Sequence, residues 1–176
     1  MARPRVVGKH GGATATSPDA LGRVDGHYLD MKEVVVGVDG SVGASAALAL
    51  AAHEAALRGA TLRIVCAWGV AQHADPVPHA DGERIPHSWA HNVCEDALAE
   101  AKRLEPSVRC EICAEEGDPR VVLADEARDA ALLVVGSRGL GGFKSLLLGS
   151  VGQECVRHAS CPVLVVPATA PTAAMS

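Results

Sequence analysis

The apolar positions of this chain fall into short dense blocks separated by amphipathic stretches. EVVVGV at residues 33–38 is a nearly unbroken β-branched run, the pattern of a strand covered on both faces. Residues 44–58 are dominated by Ala and Leu and are followed by Gly59, which predicts a helix with a glycine stop. TLRIVCA at 61–67 predicts a second strand. An irregular segment with three prolines follows at 68–86, after which helical periodicity returns over 88–104 and Pro106 closes it. Alternation over 108–114 predicts a third strand, and Asp118-Pro119 reads as the N-cap and first residue of a helix reaching about 129. ALLVV at 131–135 is a fourth buried strand, a glycine-rich loop spans 136–149, a helix opens at Ser150, and PVLVV at 162–166 is the last strand. The order βαβαβαβαβ predicts an α/β fold on a mainly parallel sheet. Residues 1–30 lack an apolar period and read as a flexible extension ahead of one domain at 31–168, with a short tail at 169–176.

Composition narrows the partners. With 176 residues, 48% hydrophobic and 21% charged, the chain carries enough apolar material for one folded core. A net charge of −5 argues against a nucleic-acid partner and against docking on an anionic membrane. Tyr28, Trp68, Trp89 and Phe143 are the only aromatics, too few for a base-stacking platform. No run approaches the roughly 20 apolar residues that span a bilayer, and the N-terminus does not resemble a signal peptide, so a cytoplasmic protein is expected. In that setting Cys66, Cys94, Cys110, Cys113, Cys155 and Cys161 are expected to be free thiols. Cys110 and Cys113 share a predicted strand at i and i+3, which points them to opposite faces and disfavours a local disulfide. His87, His91 and Cys94 share one helix face, with His73, His79 and Asp81 nearby in sequence. Nothing closes a coordination shell around them, so a solvated helix edge is the simpler reading and no metal is expected. His158 is accounted for by the dipole of a helix C-terminus.

Ligands of open α/β sheets bind beyond the carboxyl ends of the strands, where strand order reverses. Two turns stand at such ends: residues 37–41 (GVDGS) and the loop opening at Gly136-Ser137-Arg138-Gly139. Counting excludes the common templates. Phe143 separates Gly142 from Lys144, which breaks a P-loop; Asp39 stands where a dinucleotide fingerprint needs glycine; Val135 stands where a nucleophile elbow needs glycine. What remains still favours a nucleotide. Gly136 and Gly139 allow close backbone approach, Ser150 stands at an N-cap position, and Arg138 and Lys144 add positive charge, which together make an anion cradle. Asp39 is an acceptor suited to sugar hydroxyls, although Asp39 or Ser41 also suits the cap of the first helix.

Gly136-x-x-Gly139, nine residues and then Gly149-Ser150 resembles the G-x2-G-x9-G-[S/T] signature of ATP-binding universal stress proteins. VVVGVDGS at 34–41, EEGDP at 115–119 and LLLGSVGQECVRHASCPVLVV at 146–166 carry the same resemblance, which covers about 32–167. It implies a single Rossmann-like domain with a five-stranded mainly parallel sheet, of the adenine nucleotide alpha hydrolase-like kind. It further implies a homodimer formed through the last strand, residues 162–166. By position, Asp39 would hold the ribose, while Val38 and Ala67 would line the adenine pocket. Gly136, Arg138, Gly139, Gly149, Ser150 and Val151 would surround the phosphates of ATP, bound with Mg2+. The implied role is a nucleotide-dependent sensor in stress responses, with no catalytic residue assigned. Gly152 departs from the Ser or Thr frequent at that position and removes one hydroxyl donor. Three other readings stay open: a weak ATPase or autophosphorylating protein with Ser150 or Ser137 as acceptor, a cyclic-AMP binder, and a nucleotide-independent interaction module.

Overall fold

The computed structural model describes residues 32–69, 87–139 and 148–167. The expected N-terminal extension, the C-terminal tail, most of the 68–86 segment and Lys144 therefore lie outside the described residues.

Five strands and four helices alternate. They are β1 (Glu33–Gly37), α1 (Val42–Arg58), β2 (Thr61–Trp68), α2 (His87–Leu104), β3 (Cys110–Glu116), α3 (Pro119–Glu126), β4 (Leu132–Gly136), α4 (Ser150–His158) and β5 (Val163–Val166). All strand pairs are parallel and the sheet order is β3-β2-β1-β4-β5. The chain works outward from β1 to β3, then crosses back to β4, so the order reverses between β1 and β4.

Side chains of neighbouring strand residues divide between two cores. Val34, Val36, Leu62, Ile64, Leu132 and Val134 meet α1 and α2 on one face. Val35, Val65, Leu133 and Val135 meet Val122 and Leu123 of α3 and Cys155 of α4 on the other. Burial on both faces explains why β1 and β4 read as unbroken apolar runs. The buried side of α1 is mostly alanine, at 44, 47, 51, 52 and 55, which lets the helix lie close against the sheet. Ser41 caps α1, accepting from the Ala44 N–H at 3.1 Å. Gly59 ends it in the left-handed region, φ 59°, with its N–H directed to the Ala55 and Ala56 carbonyls. Asp118 caps α3 through the Arg120 N–H, with Pro119 at the first helical position, as the sequence predicts.

One polar network sits within the sheet. The Arg63 Nε of β2 donates to the Glu126 Oε2 of α3 at 2.6 Å, and its guanidinium lies 3.9 Å from Glu33 of β1 and 3.8 Å from Glu111 of β3. Burial pushes the Glu33 carboxyl above its ordinary range, against the opposing pull of Arg63.

Candidate functional site

The C-terminal ends of β1 and β4 lie side by side at the point where strand order reverses, and the two turns singled out by sequence leave the sheet there. Val38 continues β1 for one residue: its N–H donates to the Val65 carbonyl at 2.9 Å and its side chain is buried. The next residue, Asp39, uses its two oxygens differently. Oδ1 accepts from the Ser41 N–H at 3.0 Å, while Oδ2 faces Gly139, where a Cβ would stand only 2.3 Å from it. Thus Ser41, not Asp39, caps α1. Asp39 holds the turn and meets the opposite loop. Gly40, at φ 77°, lets the turn fold back between them.

The β4 loop is fixed through backbone. The Ser137 N–H donates to the Val166 carbonyl of β5 at 2.7 Å, and the Ser137 carbonyl accepts from the Gly149 N–H at 2.7 Å. Ser137 is buried and so joins the end of β4, the end of β5 and the start of α4. Gly149, at φ −72° and ψ 165°, is the N-cap of α4 and Ser150 is its first helical residue. A Gly-Ser pair leaves the boundary ambiguous, and backbone pairing with Ser137 decides it. The N-cap residue of α4, being glycine, offers no side chain to the N–H groups of the first turn.

Gly136, Arg138, Gly139, Gly149 and Asp39 are thereby gathered at one place; Gly149 packs on the Ser137 carbonyl and the Arg138 Cα. Ser150 and Val151 follow in the first turn of α4, Ser150 exposed and Val151 packed on the core shared with α3. Ala67, near the end of β2, packs on that same core, whereas Val38 belongs to the core under α1 and α2. The two residues expected to line one base pocket therefore lie on opposite faces of the sheet.

Two residues that sequence reasoning missed shape this rim. Gly43, in the first turn of α1, is where a Cβ on Gly136 would collide, at 2.8 Å from the Gly43 carbonyl carbon. A glycine inside a helix is unfavourable by about 1 kcal/mol against alanine, and that local misfit was the available signal. Gln153 donates from Nε2 to the Leu148 carbonyl at 2.9 Å and holds the approach to α4. A Cβ at Gly152 would meet Leu148 Cδ1 at 2.6 Å, the end of a side chain that can turn aside.

At the start of α2, His87 meets Trp68 edge-on with ring centroids 5.3 Å apart and stacks on His91 at 6.0 Å. Cys94, on the same stripe, is fully buried and turned into the sheet. Among the described residues no three His, Cys, Asp or Glu side chains converge as a metal site. His73, His79 and Asp81 lie outside those residues. His158 adds to its helix-end position a 3.1 Å contact with Glu154. Cys110 packs with the α2 face and Cys113 with the α3 face, as their strand spacing requires. Among the described residues no helix is long and apolar enough to cross a membrane.

Comparison with known proteins adds a common pattern. The profile of the universal stress protein family matches residues 31–167. A universal stress protein of Thermus aquaticus is 35% identical over 148 residues, covering 77% of this chain and 98% of the relative. One from Mycobacterium tuberculosis is 35% identical over 132 residues, covering 75% of this chain and 44% of the relative. The chain thus spans about half the length of its mycobacterial relatives. Among solved structures, a universal stress protein in complex with cAMP superposes with a TM-score of 0.61 at 29% identity, covering 79% of this chain and 98% of that one. A protein of the same family from Burkholderia pseudomallei gives 0.54 at 28% identity, covering 78% and 96%.

Proposed function

The chain belongs to the universal stress protein family, and from that premise we propose that the cleft between the β1 and β4 turns binds an adenine nucleotide. The observation that carries this reading is the meeting of Asp39 Oδ2 with Gly139, which sets an acceptor-only carboxylate against a glycine loop at the switch point. A carboxylate there suits ribose hydroxyls, and backbone N–H groups at a helix start suit phosphate. The relative solved with cAMP supports an adenine nucleotide as the ligand class.

The preferred ligand in this reading is ATP with Mg2+. Asp39 takes the ribose; Val38 and Ala67 take the base; Gly136, Arg138, Gly139, Gly149, Ser150 and Val151 take the phosphates. Bound Mg2+ would neutralise phosphate charge. The chain's own part is to present donors to the phosphates and an acceptor to the sugar. Acting as a nucleotide-dependent sensor, the protein would pair through β5, which lies at the edge of the described sheet with β4 as its sheet neighbour. A cytoplasmic site of action and a single domain at 31–168 belong to the same proposal.

Calorimetric titration of the full chain with MgATP, AMP and cyclic AMP tests it. The expected result is saturable binding with ATP preferred, and loss of binding in Asp39→Ala and Gly139→Glu variants that keep the wild-type circular dichroism. No binding of any of the three to folded, ligand-free protein overturns the nucleotide reading. Tighter binding of cyclic AMP overturns the choice of ATP. Retained affinity in both variants overturns the site.

A further inference from the structure

The α3 side of the sheet is covered unevenly. α3 settles on β2, whereas the packing partners of β3 are β2 and α2. β3 also ends the strand order of the described sheet, and none of its 7 residues is fully buried. Its side facing away from α2 is acidic. Glu111 and Glu115 stand on alternate positions there, with Cys113 between them. Glu126 of α3 and Glu33 of β1 adjoin them through a shared guanidinium: Arg63 Nε holds Glu126 at 2.6 Å, and Arg63 lies 3.8 Å from Glu111 and 3.9 Å from Glu33. Arg109 reaches Glu111 at 2.8 Å. Glu115 is exposed and pairs with no cation among the described residues. The surplus of negative charge is felt at Glu33. Burial pushes its carboxyl up, Arg63 pulls it back, and Glu111, Glu126 and Asp129 push it up again.

The chain carries the complementary charge in its own first residues, which lie outside the described ones. Arg3, Arg5 and Lys9 precede the first acidic residue, Asp19, and Val6 and Val7 stand among them. From there the chain enters β1 at Glu33, at the margin of the acidic surface. β3 lies two strands from β1, about 10 Å across the sheet, and residues 10–32 span up to roughly 75 Å when extended. Length permits the contact and charge favours it. A second copy of β3 on the same surface would set Glu111 and Glu115 against carboxylates of like charge.

We propose that residues 3–9 dock on the open acidic side of β3, where Arg3, Arg5 and Lys9 meet Glu111, Glu115 and the carboxylates gathered around Arg63. An uncovered edge strand is a template for pairing with other chains, and a segment of the same chain laid over it blocks that template. The contact is electrostatic and close to solvent, so it weakens as salt shortens the screening length from ~10 Å at about 0.1 M to ~3 Å at about 1 M.

The test needs no nucleotide and stands apart from the nucleotide reading. A water-soluble carbodiimide joins an amine to a carboxylate only where the two touch, and Lys9 is the one lysine before Lys32. The full folded chain, mixed with an equal amount of isotopically labelled chain, is treated with the reagent at low salt and mapped by peptide mass spectrometry. The expected product is Lys9 linked to Glu111 or Glu115 within one chain. Its yield falls severalfold at about 1 M salt and in an Arg3→Ser, Arg5→Ser double variant that keeps the wild-type circular dichroism. Absence of any Lys9 link while other lysines couple overturns the proposal. So does coupling of Lys9 to Glu95 or Glu100 of α2 in equal yield, a link found only between labelled and unlabelled chains, or a yield indifferent to both salt and the two arginines.

Discussion

Adding one methyl group at Gly136 tests whether the cleft depends on the close approach of β4 to the first turn of α1. A Cβ there would stand 2.8 Å from the Gly43 carbonyl carbon, 2.9 Å from its oxygen and 3.2 Å from the Arg138 oxygen. Carbon–carbon contact begins near 3.5 Å, so the overlap is roughly 0.7 Å against main chain on both sides. No rotamer change relieves it. Overpacking of this kind costs about 1–3 kcal/mol, which for a chain of this length lowers Tm by roughly 2–12 °C. The turn that yields carries Ser41 and, through the Ser41 N–H, Asp39, so nucleotide affinity falls with stability in Gly136→Ala. Gly59→Ala is the control. A Cβ there meets nothing within 4 Å, but the residue sits at φ 59°. Its cost is therefore conformational, about 1 kcal/mol, and far from the cleft. Differential scanning calorimetry and MgATP titration of both variants separate the effects. Unchanged Tm and affinity in Gly136→Ala refute the reasoning, and so does a loss of affinity in Gly59→Ala.

Two further outcomes follow from packing and charge. Leu133→Ala empties a fully buried position on the α3–α4 face and is expected to cost about 2–5 kcal/mol in urea unfolding; a cost below about 1 kcal/mol means that face is not a packed core. Glu33 binds its proton more tightly folded than unfolded, so its contribution to stability is full at low pH and is lost as pH rises through the folded value. The urea midpoint of Glu33→Gln should lack that decline when followed upward from pH 4, whereas an identical profile in wild type and variant denies burial the dominant role.

Strand positions were legible because a parallel strand buried on both faces has no polar positions to blur it, as in EVVVG and LLVVG. β3 was placed two residues early, over 108–114 instead of Cys110–Glu116. As an edge strand it pairs through backbone and carries exposed Glu115 and Glu116, which do not look like strand residues. α3 stops at Glu126 rather than near 129, because Ala127 leaves helical geometry with its N–H on the Leu123 and Asp125 carbonyls. Sheet order is long-range information; no local pattern sets β1 beside β4. The glycines of the loop could be counted, but their necessity comes from what lies opposite them: Asp39 for Gly139, and Gly43 for Gly136.

The alanine face of α1 has a mechanical consequence. Alanine has no side-chain rotamers to freeze on burial, and equally none to change when a neighbour moves. A displacement of the Asp39–Ser41 turn cannot be absorbed by side chains repacking beneath the helix. It passes instead to α1 as a rigid rod. With 17 residues at about 1.5 Å each, that rod spans roughly 25 Å. Its lever arm ends at Gly59, beside the start of β2 and at the opposite end of the sheet from the cleft.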